Sequence, residues 1–362
     1  MKKIDFSYRY SGSLVWNCGF TIFINICQVL MQMGTRVVYI HRGRNRKSTE
    51  IGKLFTNADF NFDYRGKNIF LLILKALLTS TEIPKADIYF VEGGLCLNVA
   101  FFVKALRVRS SKIILMVPEP LFHLSNASFY KIWWIKKLMS KVDGVIAVSE
   151  MVGDDARKVY SGPIEIGHHY AIDLERYLDV KPNFNSRKIA FVVDRPNETS
   201  AVKGLDAAIK TFKIIKEKFP ESELLLLGAG TEFLDFGIDG IKYLGFIDML
   251  GVYKEISIII SPAKYDAFPV VIVEAACAGV VPFISSTVGS KEFVEKVDPF
   301  FVIPSQSPDE FARRIIAWWQ RDKAEVKKKS EELRKVAQYY NKDNCMKEFK
   351  RAWKKLTGNR KC

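Results

Sequence analysis

The chain has 362 residues, enough for two domains of ordinary size, and its 48% hydrophobic and 26% charged content excludes disorder over most of its length. Its formal charge of +15 points to an anionic partner: nucleic acid, an anionic membrane surface or phosphorylated small molecules. The opening MKKIDFSYRYSG has no hydrophobic signal core, and the longest apolar run, Ile69–Leu78, is broken by Lys75 and falls well short of the roughly 20 residues that span a bilayer.

In chain order, KIDFSYRY and TRVVYI (Thr35–Ile40) read as strands around a helix, GFTIFINICQVLMQMG, that Gly34 closes. The pattern recurs as strand ADIYFVEGG, helix Leu97–Leu106, strand KIILMVPEP, helix Ser128–Lys141, strand DGVIAVSE and helix MVGDDARKVY. Short apolar strands without strict alternation suit a parallel sheet covered on both faces. The stretch SGPIEIGHHYAIDLERYLDVKPNFNSRK, with Pro163 and Pro182, is irregular and is expected to hold the connection between domains. The rhythm restarts with strand KIAFVVD, helix GLDAAIKTFKIIKEKF, strand SELLLLGAG, short strand KYLGF and strand ISIIISP. Helix Val270–Ala278, strand VVPFIS, a short strand Phe301–Ile303 and helices Phe311–Trp319, Lys323–Tyr340 and Cys345–Leu356 complete the chain. Strands alternating with helices predict an α/β fold of two tandem doubly wound Rossmann-like domains. The first covers 1–172, the second 173–342, and the terminal helix in 343–362 is expected to pack back on the first. Ligands of such sheets bind at the carboxyl ends of the strands, which puts the shared site in the cleft between domains.

The six cysteines form no C-x-x-C pair, and with four histidines and no His/Cys cluster they argue against a zinc site. Cys27, Cys96 and Cys277 sit in apolar runs as small hydrophobes, which fits a reducing, cytoplasmic compartment.

The stretch SPAKYDAFPVVIVEAACAG (Ser261–Gly279) carries the chemistry. Pro269 suits the first helical position, leaving the amides of Val270 and Val271 pointing out of a helix start that attracts phosphate. Asp266 precedes that start, and Glu274 lies eight positions later in an apolar helix. A carboxylate there is costly unless bonded; paired ribose hydroxyls or a neighbouring basic side chain would each serve.

This stretch resembles the E-x7-E region of the group 1 retaining glycosyltransferases, which have the GT-B fold. The matching order is Asp266-Ala267-Phe268-Pro269, then Glu274-Ala275 and a closing Gly279. The resemblance implies that Asp266 faces the transferred sugar, that the amides after Phe268 and Pro269 hold the diphosphate, and that Glu274 binds ribose. Asp266 replaces the usual Glu and is one methylene shorter. AFVVDRPNETSAVKGLD resembles the family's strand, Arg-containing loop and Lys-Gly helix start, which assigns Arg195 and Lys203 to the donor diphosphate. Fixed cations there would stabilise charge growing on a departing nucleoside diphosphate. SELLLLGAGTE matches the glycine turn beside the nucleotide, with Gly228 and Gly230. VDGVIAVSEMVGDDARK, IDLERY and IKYLGFIDM match further landmarks in the same order, and Gly19 stands where the donor-closing glycine loop is expected.

After KIILMV the family often has His; here Pro118, Glu119 and Pro120 stand there. Glu119 would take a polar role toward sugar or acceptor, or be a loop acid, with His123 nearby. No D-x-D motif ends a strand, so no metal and no cofactor is expected, and protein cations and helix amides would replace a divalent ion.

The first domain would bind the acceptor, a saccharide or a lipid-linked glycan. Basic clusters lie at Arg42–Lys47, Arg107–Lys112 and Lys131–Lys141, the last mixing Trp133 and Trp134 with lysines as interfacial helices do. Phe129, Ile132, Trp133 and Met139 are expected to share one face of that helix, with Lys136 falling on it too; the helix either packs on the first sheet or makes peripheral contact with an anionic membrane. No aromatic–glycine RNA-recognition signature and no zinc finger supports nucleic acid. The reading is a metal-independent retaining glycosyltransferase using a nucleotide diphosphate sugar. Its rivals are a nucleotide-sugar epimerase of the same fold and a non-catalytic basic module on membranes or nucleic acid.

Overall fold

The computed structural model describes residues 37–40, 69–81, 83, 85–117, 121 and 128–358. Gly19, Glu119, His123, the basic cluster at 42–47 and the expected first strand and helix lie outside them.

Two parallel sheets carry the fold. The first has β1 (Val37–Ile40), β2 (Ile88–Glu92), β3 (Lys112–Val117), β4 (Gly144–Ala147) and β5 (Ile164–Ile166), side by side in sequence order. Helices α1 (Ile69–Ser80), α2 (Gly93–Leu106), α3 (Phe129–Met139) and α4 (Glu150–Arg157) connect them. The second has β6 (Lys188–Val192), β7 (Glu223–Leu227), β8 (Ile241–Gly245), β9 (Ile258–Ser261), β10 (Val281–Ser285) and β11 (Val302–Ile303). Its order is β11-β10-β9-β6-β7-β8, so the winding reverses between β6 and β9. Its helices are α5 (Pro196–Lys203), α6 (Leu205–Lys218), α7 (Met249–Glu255), α8 (Val270–Cys277), α9 (Lys291–Val297), α10 (Pro308–Trp319) and α11 (Lys323–Ala337). Strands β3, β4, β7, β9 and β10 are buried along almost their whole length, which is why they read as continuous apolar runs rather than alternating ones.

The last helix, α12 (Lys342–Thr357), packs on β4 and β5 of the first sheet. Phe349 and Trp353 meet the Phe90 ring of β2 at 5.9 and 5.5 Å between centroids.

Helices α1, α7 and α9 were not marked in the sequence reading, and the structure departs from it at four further places. PNETSAVK forms α5 where a loop was expected: Pro196 opens it, Glu198 lies in its first turn and Gly204 closes it. IEI, within the irregular connection, pairs with β4 as strand β5. Pro269 is the residue before α8 rather than its first, with an extended ψ of 112°, so Val270 opens the helix. Finally, α3 divides the face expected to hold Phe129, Ile132, Trp133 and Met139. Ile135, Leu138 and Met139 turn inward, whereas Phe129, Tyr130 and Trp133 are exposed. The Trp134 indole N–H donates to Asn98 at 2.8 Å and fastens α3 to α2 with that rotation.

Candidate active site

Two segments leave the sheet at the point where its order reverses. After β6 the chain turns through Arg195, whose φ of 50° is left-handed, and enters α5. The Arg195 N–H donates to Ala229 O at 2.7 Å, and the Ala229 N–H donates to the Asp194 carboxylate at 3.0 Å. These bonds tie the Arg195 turn to the glycine turn after β7. Gly230 lies there beside Pro196, with its N–H donating to the Glu232 carboxylate at 2.9 Å. The Arg195 side chain is largely exposed and pairs with Glu198 at 3.4 Å.

Lys203 ends α5 and points the other way, toward the segment that follows β9. Its Nζ lies 2.5 Å from the Asp266 carboxylate. The approach depends on Gly204, whose φ is +80°; a Cβ there would lie 2.0 Å from Pro262 O. The Lys264 N–H also donates to Val202 O at 2.8 Å, so the α5 end and the β9 loop are bonded as one unit.

Asp266 is held by its backbone. Its N–H donates to Thr287 O at 3.1 Å, and its carbonyl accepts from Gly289 N–H at 2.8 Å. The Asp266 side chain is 13% exposed, its carboxylate facing Lys203.

Helix α8 then begins with no side chain capping it. Five of its eight residues are buried, and the three that are not are Val270, Val271 and Glu274. Positions three and four apart share a helical face, so the acid lies on the same side as Val271 and Val270 of the first turn, whose amides are open. Burial, first, pushes the Glu274 carboxyl up to about 7; the positive charge of Arg176 opposes this and the negative charge of Asp248 adds to it. Among the described residues no hydrogen bond or ion pair reaches that carboxylate. A neutralising basic neighbour, one of the two partners that would serve Glu274, is therefore not in contact with it.

Lys203 and Asp266 are thus joined directly. Arg195 and Gly230 lie together one strand over, and Val270, Val271 and Glu274 share a helix face. The Phe268 ring is buried instead, 5.3 Å from the His168 ring and 5.2 Å from Tyr340. That aromatic cluster was not read from the sequence; His168 is marked there by nothing except its neighbour His169. Among the described residues no group of three His, Cys, Asp or Glu side chains is placed to hold a metal ion.

Residues 187–321 match the family described as Glycosyl transferases group 1. No curated protein matches the chain in sequence. In structure the chain is similar to sucrose-phosphate synthase from Thermosynechococcus elongatus, at 17% identity and a TM-score of 0.69, with 93% of each chain covered. It is also similar to a glycosyltransferase from Rickettsia africae, at 16% identity and a TM-score of 0.67, covering 96% of this chain and 97% of that one. A third is Anabaena HepE in complex with UDP and glucose, at 15% identity and a TM-score of 0.63, covering 90% and 100%. At these identities the likenesses show the fold, which is GT-B.

Proposed function

We propose that this chain, whose residues 187–321 match the group 1 glycosyltransferases and whose fold is GT-B, moves a sugar from a nucleotide diphosphate sugar to a saccharide or lipid-linked acceptor. Retention of anomeric configuration and independence of metal belong to the same reading. The observation that carries it is the half-buried Glu274 carboxylate, which no protein group bonds among the described residues, on the open face of α8. Two vicinal ribose hydroxyls would supply the donors that the protein does not. The complex of Anabaena HepE with UDP and glucose supports a nucleotide sugar as the donor.

The roles follow from position. The amides of Val270 and Val271 and the Lys203 ammonium would hold the diphosphate, with the exposed Arg195 reaching from the neighbouring turn and Gly230 leaving room for the nucleotide. Lys203 neutralises Asp266 through their direct contact. Diphosphate oxygens would draw part of that contact away and leave Asp266 free to accept hydrogen bonds from sugar hydroxyls. Charge growing on the departing diphosphate is stabilised by the fixed cation and helix start. The acceptor attacks from the leaving-group face and the diphosphate oxygen takes its proton, so no protein nucleophile is used.

The acceptor would bind on the first domain, with Glu119 and His123 near the reacting sugar and Gly19 closing over the donor phosphates. A cytoplasmic enzyme of glycan assembly touching an anionic membrane fits this reading. Among the described residues no helix is long and apolar enough to cross a membrane.

The experiment is a panel of nucleotide sugars scored for thermal stabilisation and for sugar release with and without saccharide acceptors. Stabilisation that Lys203→Ala and Glu274→Ala reduce by tenfold or more in affinity, about 1.4 kcal/mol, supports the reading. Conversion of the donor without acceptor identifies an epimerase. No response to any donor, with both variants indistinguishable from wild type, sinks the enzyme reading in favour of a basic binding module.

A further inference from the structure

His168 lies just past β5, in the connection between the sheets, and its ring is about nine-tenths buried. Its Nε2 is in ion-pair contact with the carboxylate of Glu292 in the first turn of α9, without hydrogen-bond alignment. Its Nδ1 lies 2.7 Å from the carboxylate of Glu348 on α12. An ionised carboxylate can only accept, so a ring facing one on each side favours protons on both nitrogens. The surroundings complete the pairing. The Tyr340 hydroxyl donates to Glu292 at 3.3 Å, the Tyr339 hydroxyl donates to Glu348, and the Glu150 N–H at the start of α4 donates to Glu292 at 2.8 Å.

Burial by itself would push the His168 imidazole down, but pairing with Glu292 and Glu348 outweighs it and raises the ring to about 9. His169 beside it is pushed down to about 4 by burial and by the charge on His168, so it stays neutral. One imidazolium therefore stands against two carboxylates, and the Glu348 carboxyl is correspondingly held below its ordinary value despite its burial.

This cluster reaches Asp266 by two routes. The Phe268 ring, two residues beyond Asp266, lies 5.3 Å from the His168 ring. Glu292 stands three residues beyond Gly289, whose N–H holds the Asp266 carbonyl. The approach is close: a Cβ on Gly289 would lie 1.8 Å from Ala267 O. The first domain meets the same spot, where the Ser149 hydroxyl donates to Ala267 O at 2.8 Å.

We propose that His168 is a positioning residue whose doubly paired imidazolium fixes the Ala267–Phe268 and Gly289–Glu292 segments against the first domain, and thereby sets where Asp266 presents its carboxylate. A histidine that merely filled space would need no second carboxylate, because a neutral ring offers one donor. The catalytic half of this inference rests on the transferase reading; the positional half stands without it.

The test is amide hydrogen exchange on the full chain, wild type against His168→Gln and Glu348→Gln. In His168→Gln, exchange at Asp266 and Gly289 accelerates about tenfold or more while amides of β6 and β7 keep their protection. Glu348→Gln, which keeps the shape and removes one charge, loosens the same two amides less, and it decides the matter if His168→Gln does not fold. In wild type those amides lose protection beyond the intrinsic rise with base as pH passes about 9, because a raised pKa stabilises below it and is lost above it. With a donor that the panel identifies, kcat of His168→Gln falls about tenfold or more while KM stays nearly constant, since Lys203 and Glu274 are untouched. Unchanged exchange at Asp266 and Gly289 overturns the proposal. So does loss of protection spread evenly over both sheets, which reports general instability. If no donor is found, the exchange result still decides the positional claim.

Discussion

The surroundings of Glu274 favour its neutral form. Its carboxyl is raised above the ordinary value, chiefly by burial, so folding favours the protonated form, and the cost of ionising it appears as pH climbs from 4.5 through about 7. Glu274→Gln, which is always neutral, should therefore melt a few degrees above wild type at pH 8, with the gap closing toward pH 5. The same variant should lose donor affinity by about tenfold or more, because a charged acceptor of two hydroxyls is replaced by a weaker one. Thermal melts at both pH values and calorimetric titration with the donor check the two halves. Glu274 was legible in the sequence because one acid interrupts an apolar run, and such an acid needs a partner. The Lys203–Asp266 contact was not: each residue stood out on its own, but they lie 63 positions apart. His168 gave no signal, since its carboxylates come from helices 124 and 180 positions away in number.

Helix α5 shows what local patterning leaves out. PNETSAVK has no apolar periodicity, because one face is open and its burial falls mainly on Pro196. Pro196 opens the helix and Gly204 closes it, but Gly204 reads equally as the start of the next helix, which is how the sequence was read. Gly204→Ala should be costly, since the residue has φ +80° and its new methyl would meet Pro262 O at 2.0 Å. We expect a loss of about 1–3 kcal/mol from the backbone conformation alone, more with the clash. Lys203, which precedes Gly204, would shift away from Asp266, so urea unfolding and donor KM should worsen together. Helix α3 presents the opposite case, with a readable composition and an unreadable rotation. Its outward side carries Phe129, Tyr130 and Trp133, 76%, 78% and 55% exposed, with Lys136 and Lys137 exposed beside them. No acid occurs from Ser128 to Val142 to offset those lysines. If this side meets an anionic membrane, wild type should co-sediment with phosphatidylglycerol vesicles and release as salt rises. Lys136→Glu/Lys137→Glu should weaken that binding by tenfold or more, at about 1 kcal/mol per lysine removed, and Phe129→Ser/Trp133→Ser should do so with little change in melting temperature. Equal sedimentation of all three would refute membrane contact through α3.

At the scale of the molecule, the end of the chain completes its beginning. Helix α12 covers β4 and β5 and buries Trp353 to 1% exposure against Phe90. Leu356 packs so closely on Gly144 that a Cβ there would lie 2.8 Å from its Cδ2. Trp353→Ala should cost about 3–5 kcal/mol in urea unfolding, as large aromatic truncations in a core do. The early loss should be read in the first sheet, with the second still protected in hydrogen exchange. The sequence by itself determined the alternation of strand and helix, because burial on both faces of a parallel sheet leaves apolar runs that can be counted. It also determined the spacing of Asp266 and Glu274 around a helix start, because helix geometry is local. The tertiary structure alone decided that β6 lies beside β9, and so that Lys203 meets Asp266. It alone brought His168 between Glu292 and Glu348. Contacts of that kind close long loops, and nothing in a local period of two or 3.6 residues encodes which distant segment will close them.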